Sequence, residues 1–500
     1  MDFLRPGPDL DSLFKIRRLI ALLGIVQPAS LISCLIIICT FISSPSFART
    51  DTPQVLDQAF RDLGSATYEF YNKNPTSKEI DNIHRLEKSV RQLVANEDIF
   101  NAIRLIKANQ NTIEKAINDQ AVQYFIKLLL KHNAWKSANT LYQQIKTNGD
   151  NFSSANTSLL FTRYFFERQL WKQANQSFNG RYEDLAVEDA HYALLIRGVS
   201  LQKLKRHRQA IEYYQRIPAS SSYYSHAQLN IAIAYIRQGW WSDARLIILE
   251  NTVSATHSNG ISDRAQLVLA YALFQQEYFR DSREVFRNIP LSSPYKIQAL
   301  LGIGLTSSSQ EDYIGALNAF SQLQKMSPEN VNLNDSTHLE IDESWLLEAY
   351  VYEKMNQGIT ASTLYSEAIK YYQSRVNTLN THIQNKQSET SATLSATLKE
   401  TTFTYHKGYQ TLLQESSKNI HENIPKYFLN NFAEINQLAI KVDEPYLKQQ
   451  MLNLQQRYYY MNQQLILQSL EERRVYLNSY LNQSKFGLAR LYDNSLPSKP

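Results

Sequence analysis

The sequence predicts an all-α solenoid, and two observations favour that fold class. A small residue stands three positions after a bulky residue or glycine and four before another bulky residue, eight times along the chain, with successive gaps of 36, 36, 36, 34, 38, 34 and 45 residues. Gly and Pro number only 14 each in 500 residues, which argues against a turn-rich β fold. A period of this length is typical of stacked helical hairpins. We call the eight small residues anchors: Ala102, Ala138, Ala174, Ala210, Ala244, Ser282, Ala316 and Ala361.

Each anchor is predicted to lie on the second helix of a hairpin. Trp171, Ala174 and Phe178 illustrate the spacing, which places all three side chains on one face of a helix. The middle residue is small because a neighbouring helix must approach closely there. The first helix needs a small contact residue for the same reason, and five consecutive units have one 12 positions before the anchor: Gly198, Ala232, Ala270, Gly304 and Ala349.

Tyr235 and Tyr352 stand nine positions before their anchors, and Pro328 follows Ala316 by 12. With this order of small, aromatic and proline positions, residues from about 96 to 370 resemble the tetratricopeptide repeat. The resemblance implies a right-handed solenoid of about eight helical hairpins that binds a peptide or partner helix in a concave groove. It implies no reaction. The residues nine before the anchors are the candidate groove residues, with packing between helices as the alternative: Phe165, Leu201, Tyr235, Leu273 and Tyr352.

The N-terminal 48 residues have the pattern of an export signal. Four basic residues precede an apolar stretch from Leu19 to Ile42, and Ser46-Phe47-Ala48 follows with small residues where a signal peptidase cleaves. A cleaved leader ending at Ala48 is the first interpretation, and an uncleaved membrane anchor is the alternative. Both place the body in the periplasm of a bacterial-type cell. A lipidated Cys34 is disfavoured because the apolar run continues after it.

The body has little sequence evidence of chemistry. Both cysteines, Cys34 and Cys39, fall in the leader, which excludes disulfides and thiolate sites from residues 49 to 500. The ten histidines are scattered, and no phosphate loop or nucleophile motif is present, so we predict no catalytic residue, cofactor or metal. The densest acidic cluster lies in the polar stretch from Asn332 to Glu343, predicted to be a solvated loop between units, with a weak calcium site as the alternative. Its members are Asp335, His338, Glu340, Asp342 and Glu343.

The sequence gives little support for nucleic-acid binding or for murein cleavage. The formal net charge is +5, and removal of residues 1 to 48 takes away four cations and three aspartates to leave +4, too little to predict nucleic-acid binding. Glu343-Ser344 is similar to the catalytic pair of murein lytic transglycosylases that carry a helical superhelix. The glycine-rich continuation expected after that pair is absent, so a murein enzyme is a remote alternative.

The remaining segments are predicted to be helical. Residues 49–95 form a lead-in, the repeat array covers 96–370, and 371–500 form a C-terminal helical region. In that region an apolar stripe with 4-3-4-3-4 spacing either folds back to cap the array or pairs with a second chain through residues 445–493. The stripe consists of Leu447, Met451, Leu454, Tyr458, Met461 and Leu465, resuming in shifted phase at Leu477, Leu481, Leu488 and Leu491.

These observations predict a non-catalytic, exported scaffold that binds protein partners in the cell envelope. The alternative from a different class is a membrane-tethered structural subunit of an envelope assembly, such as a polysaccharide-export or secretion machine. The two differ in whether the leader remains attached and whether the C-terminal region self-associates.

Overall fold

The protein is all-α. The computed structural model describes residues 52–72, 79–254, 259–326, 339–397 and 426–495, and within these ranges it contains α-helices, one 3₁₀ turn at Tyr182–Asp184 and no strand. The first ten helices are α1 (Pro53–Asn72), α2 (Ile83–Ala95), α3 (Ile99–Ala108), α4 (Gln110–Lys115), α5 (Gln120–Lys131), α6 (Trp135–Asn148), α7 (Asn151–Glu167), α8 (Trp171–Ser177), α9 (Val187–Lys203) and α10 (His207–Gln215). The others are α11 (Tyr224–Gln238), α12 (Trp241–Ser254), α13 (Asn259–Gln275), α14 (Phe279–Arg287), α15 (Lys296–Ser309), α16 (Tyr313–Lys325), α17 (Leu339–Lys354), α18 (Gly358–Thr397), α19 (Lys426–Lys441) and α20 (Pro445–Ser495).

Eight helical hairpins follow one another in the predicted register. Their helices pair as α2/α3, α5/α6, α7/α8, α9/α10, α11/α12, α13/α14, α15/α16 and α17/α18. In every hairpin the residue five before the anchor has a positive φ, between 56° and 77°. These turn residues therefore repeat with the same gaps as the anchors: Glu97, Asn133, Gln169, Lys205, Gly239, Glu277, Glu311 and Asn356. The tetratricopeptide-type solenoid predicted from the sequence is confirmed by this backbone register.

The turn also explains the aromatic and apolar residues nine before the anchors. In each hairpin the backbone N–H four before the anchor donates to the carbonyl nine before it, at 2.9–3.0 Å. This hydrogen bond, together with the positive φ, is the Schellman ending of a helix, which is frequently accompanied by a hydrophobic contact where the residues at both ends of the bond are apolar. Tyr235 and Trp240 show the contact directly, with ring centroids 5.6 Å apart.

The anchors are buried in every unit, at 0–1% exposure. In units 4 and 7 the aromatic ring four after the anchor lies against the glycine 12 before that anchor. Tyr214 covers Gly198 and Phe320 covers Gly304, so that a Cβ at either glycine would overlap the ring. The close approach predicted from the small residues is therefore the contact that holds the two helices of a hairpin together.

The array begins earlier than the sequence pattern indicates. Helix α2 is the first helix of unit 1, so the repeats start near Ile83 rather than at residue 96. The first helices of units 1 to 3 lack the small residue 12 positions before the anchor. They have Val90, Ile126 and Thr162 there instead, all fully buried. At the other end, α18 continues through residue 370, so the last repeat and the C-terminal region share one helix.

The first helices of the hairpins line the inner side of the curve. First helices of neighbouring units contact each other, as α5 does α7 and α11 does α13, whereas second helices contact mainly the first helices on either side. Because closer spacing on one side of a stack bends it toward that side, the concave face is formed by the first helices.

Helix α20 links the two ends of the array. Its first half packs against α1 and α19, in one core with units 1 to 3, and its second half packs against α17 and α18. Gly487 lies under the Tyr365 ring as Gly302 lies under Phe286, so α20 stands where the first helix of a ninth unit would stand. The apolar stripe shifts phase between Leu465 and Leu477 because its packing partners change there.

The stripe on α20 is used inside the chain. Leu447, Met451, Leu454 and Tyr458 are buried against the N-terminal core, and Leu477 and Leu481 against the last repeat. A second copy could pair with this stripe only after α20 had left its own core. Within the described segments, no helix combines the length and apolar character needed to cross a bilayer.

A buried polar cluster fixes the N-terminal contact of the C-terminal region. We call Asp57, Arg61, Asn133, Arg168 and Asn431 the N-terminal polar cluster. Asp57 pairs with Arg61 at 3.1 Å and Arg168 at 3.2 Å, and it accepts a hydrogen bond from Asn431 at 2.8 Å. Asn133, the turn residue of unit 2, donates to Asn431 at 3.3 Å and accepts from Arg168 at 2.8 Å. The turn of one repeat is thereby joined to α1 and α19.

A second cluster fixes the other contact. We call Asp342, Tyr371, Tyr372, Arg375 and Arg473 the C-terminal polar cluster. The fully buried Asp342 carboxylate lies 3.3 Å from Arg375 of α18 and 3.2 Å from Arg473 of α20, and it accepts from the Tyr371 hydroxyl at 2.6 Å. Its backbone carbonyl accepts from Tyr372 at 2.6 Å.

This cluster corrects the prediction of a solvated loop from Asn332 to Glu343. The last residues of that stretch form the first turn of α17, where Glu340, Asp342 and Glu343 are buried at 7%, 0% and 6% exposure. For residues 339–343 the prediction was wrong because the arginines that neutralise Asp342 come from α18 and α20, which a repeat pattern cannot place. Residues 332–338 lie outside the described ranges.

Candidate functional site

The five candidate groove residues lie on the first helices, at the ends nearest the hairpin turns. Leu201 and Leu273 are buried, at 3% and 7% exposure. Phe165, Tyr235 and Tyr352 are half-buried, and the Phe165 ring packs on Trp135 with centroids 5.3 Å apart. Their main contacts are therefore within and between hairpins, and little of their surface faces outward.

The exposed side chains of the inner face come from a different register position. Arg91, Lys127 and Arg163 each stand 11 residues before an anchor, on α2, α5 and α7, and all three are exposed. We call them the inner basic row. Because neighbouring helices pack about 8–10 Å apart, the row places one cation per unit at roughly that interval along the concave face.

Tyrosine rings of the next unit support two of these cations. The Arg91 guanidinium lies 3.9 Å from the centroid of Tyr124, and that of Arg163 lies 5.9 Å from the centroid of Tyr192. Both contacts join adjacent first helices, which shows that the arginines lie on the inner face. Tyr192 in turn packs on Tyr223 at 5.5 Å. Burial raises the pKa of Tyr192 to about 12, although Arg163 acts to lower it, so its hydroxyl is a neutral donor near neutral pH.

The inner basic row is only partly neutralised by its own helices. Arg91 bonds Glu87 at 2.6 Å and Arg163 bonds Glu167 at 2.7 Å, each one turn away on the same helix. Lys127 has no ion-pair partner among the described residues. Surface pairs within a helix are weak and exchange readily with other partners. The row can therefore offer charge to an acidic ligand without a large penalty.

The same register position changes character along the array. In units 5, 6 and 7 it holds Ile233, Tyr271 and Leu305, all buried. Nearby in unit 5, burial and the charge of Arg264 lower the pKa of His226, so that this imidazole is neutral at physiological pH. The inner basic row is thus confined to units 1 to 3, from α2 to α7.

The residues singled out for chemistry do not form a reactive site. Glu343 and Ser344 are buried within α17, at 6% and 0% exposure, so neither side chain is open to a sugar chain from solvent. In the segments that the structure describes, His, Asp and Glu side chains do not gather in threes as metal ligands would. Asp335 and His338 of the acidic cluster lie outside those segments.

Comparison of the sequence with protein-family models and with curated proteins gives no match. Solved structures similar to this chain include the apo form of the quorum sensor NprR from B. thuringiensis, at 15% identity and a TM-score of 0.33, covering 67% of this chain and 98% of that one. The apo form of RapI is similar at 13% identity and 0.29, covering 77% and 97%. The tetratricopeptide domain of P58(IPK) is similar at 12% and 0.18, covering 77% and 99%. At these TM-scores the likeness carries no information on what this chain binds.

The inner basic row was missed in the sequence although a signal for it exists. Arg91, Lys127 and Arg163 are spaced by 36 residues, the same interval that separates the first three anchors. The small and aromatic residues that define the repeat recur because they pack between helices. A search for charged residues in the repeat register would have found this exposed position, since charge at a repeating surface site is not required for packing.

Proposed function

We propose that this chain is a non-catalytic scaffold that binds an acidic peptide or helix along the inner face of units 1 to 3. The observation that carries the proposal is the inner basic row, which sets one cation on each of units 1 to 3 of a concave surface, with tyrosine rings beside two of them. A spacing near 10 Å matches acidic side chains three residues apart in an extended chain or seven apart in a helix. Aromatic rings beside the cations would contact the ligand's apolar atoms.

The test is binding of designed peptides to the full chain, followed by fluorescence anisotropy. A peptide with glutamate at every seventh helical position should bind, and its glutamine counterpart should bind at least 10-fold more weakly. The double variant Lys127→Glu, Arg163→Glu should weaken binding of the acidic peptide about 30-fold, since each reversal replaces an attraction with a repulsion.

The matched control is Lys115→Glu, Lys146→Glu, which makes the same charge change on α4 and α6, outside the first helices. If both double variants weaken binding equally, the effect is one of net charge and the inner face is not the site. Turnover of an envelope component by the purified chain, without peptide binding, would contradict the scaffold proposal itself.

The location of this scaffold in the cell envelope is the second part of the proposal. It is supported by the basic and apolar pattern of residues 1–48, which lie outside the described ranges. We expect the body to be recovered from the periplasm with Arg49 as its first residue. Survival of Met1 in a membrane fraction would instead favour the tethered structural subunit. A crosslinking pull-down from intact cells, with the N-terminus sequenced from the same sample, distinguishes the two and identifies the partner.

A further inference from the structure

The hairpin turns form one edge of the array. Since all eight turns share the same backbone register, residues two to five positions before each anchor project from the same edge of successive units. Outside units 3 and 4 the cations at these positions have a carboxylate partner: Lys136 pairs with Glu69 at 3.2 Å, and Arg280 with Glu284 at 3.9 Å. The turns of units 3 and 4 differ.

Four exposed cations lie on these two turns without a carboxylate at ion-pair distance among the described residues: Lys172, Lys205, Arg206 and Arg208. Lys203 adds a fifth positive charge at the end of α9. Glu167, just before the turn of unit 3, is paired with Arg163, and Glu212, one turn after Arg208 on α10, lies beyond ion-pair distance of that arginine. The four cations on the two turns thus leave a concentrated positive charge facing solvent.

Tryptophans lie beside the cations on both sides. The Lys203 ammonium is 6.0 Å from the Trp171 ring of unit 3, and the Arg208 guanidinium is 5.4 Å from the Trp240 ring of unit 5. Trp240 stays 38% exposed. Exposed indoles next to Lys and Arg are the combination that settles at a membrane surface, where the ring meets the acyl boundary and the cation meets phosphate.

We propose that this edge, which we call the basic edge, binds the anionic headgroups of a phospholipid bilayer. It consists of Trp171, Lys172, Lys203, Lys205, Arg206, Arg208 and Trp240. Consecutive turns present these side chains in a row along the rim of the array, which suits a plane of phosphates. Five cations give reversible, salt-sensitive binding rather than permanent insertion. The site is separate from the inner basic row, so a scaffold lying on the membrane keeps its concave face open.

The test uses the five tryptophans, all of which lie between residues 135 and 345 and none in the predicted leader. The full chain is mixed with vesicles containing brominated phosphatidylglycerol, and quenching of tryptophan emission is measured. Insertion of the predicted leader into the vesicle would not by itself place a tryptophan beside the bromine atoms, since the leader contains no tryptophan. We expect quenching with anionic vesicles, loss of it in about 0.5 M salt, and no quenching with brominated phosphatidylcholine alone.

The triple variant Lys205→Glu, Arg206→Glu, Arg208→Glu should raise the concentration of anionic lipid needed for half-maximal quenching about 100-fold. The control Lys115→Glu, Lys146→Glu, Lys325→Glu makes the same charge change at exposed sites away from the hairpin turns and should bind like the wild type. Trp240→Phe should bind with much less quenching. Equal quenching by neutral and anionic lipid, or equal loss in both triple variants, would overturn the proposal. So would polyglutamate binding to the basic edge without any binding of vesicles, which would assign the edge to an acidic protein.

Discussion

Raising the pH above about 10 is expected to unfold this protein cooperatively. Burial raises the pKa of eight tyrosines that have at most 4% of their surface exposed. They are Tyr68, Tyr164, Tyr214, Tyr365, Tyr372, Tyr427, Tyr458 and Tyr480. In the unfolded chain each would ionise near pH 10.

The unfolding free energy falls at high pH because the folded and unfolded chains then bind different numbers of protons. Above about pH 10 the unfolded chain has released these protons while the folded chain retains them, so stability falls as pH rises toward the folded pKa values. Below that pH the two states hold the same protons and the contribution is fully present. Each tyrosine lowers the unfolding free energy by about 1.4 kcal/mol per pH unit, and eight together by about 11 kcal/mol. That is comparable to the whole stability of a typical domain.

The measurement is far-ultraviolet circular dichroism against pH, with tyrosinate absorbance recorded on the same samples. The two signals should change together, with a midpoint between about pH 10 and 11.5. Tyr480→Phe should reduce the slope of unfolding free energy against pH by the share of one tyrosine, with little change at neutral pH. Ionisation of these tyrosines with helicity retained would refute the expectation.

Asp342→Asn is expected to lower the unfolding free energy by about 3–5 kcal/mol. The substitution keeps the shape of the side chain but removes the buried negative charge that the Arg375 and Arg473 guanidiniums both contact. Arg473 is itself only 6% exposed, so water cannot replace the carboxylate without opening the contact between α17 and α20. Denaturant unfolding measures the loss, and hydrogen exchange should show it concentrated in the second half of α20.

Asp281→Asn is the matched control, because Asp281 pairs with Arg245 at 3.3 Å but keeps 39% of its side chain exposed. Its loss should be under about 1 kcal/mol. Adding Arg473→Met to Asp342→Asn should recover part of the stability, since the double change removes one of the two cations that faced the lost carboxylate. Equal losses for Asp342→Asn and Asp281→Asn would mean that the buried cluster does not hold α20.

The parts of the fold that the sequence predicted are those encoded over short separations. An anchor and its partners, such as Trp171, Ala174 and Phe178, lie within seven residues, so the helix face can be read directly. The parts that it missed depend on long separations. Asp57 meets Asn431 across 374 residues, and Asp342 meets Arg473 across 131. No local period contains those pairings.

The candidate site shows the same division. The residues nine before the anchors were predicted to line the groove because they are aromatic or apolar. In the structure their carbonyls accept the hydrogen bond that ends the first helix, and their side chains pack in the core. Position 11 holds the exposed cations. Tyr235 and Lys127 therefore exemplify two signals with the same period and different causes, one from packing and one from a surface available to a ligand.

Helix α20 has a consequence for how this chain can vary. It is 51 residues long, about 77 Å as a straight helix, and its two halves are seated on opposite ends of the array. An open solenoid tolerates duplication or loss of a unit, because each unit touches only its neighbours. Here an added or deleted hairpin would shift the last repeat relative to the N-terminal core, so that α20 could no longer contact both. The number of repeats is consequently locked to the length of α20, and homologous chains that gain a unit should also lengthen this helix.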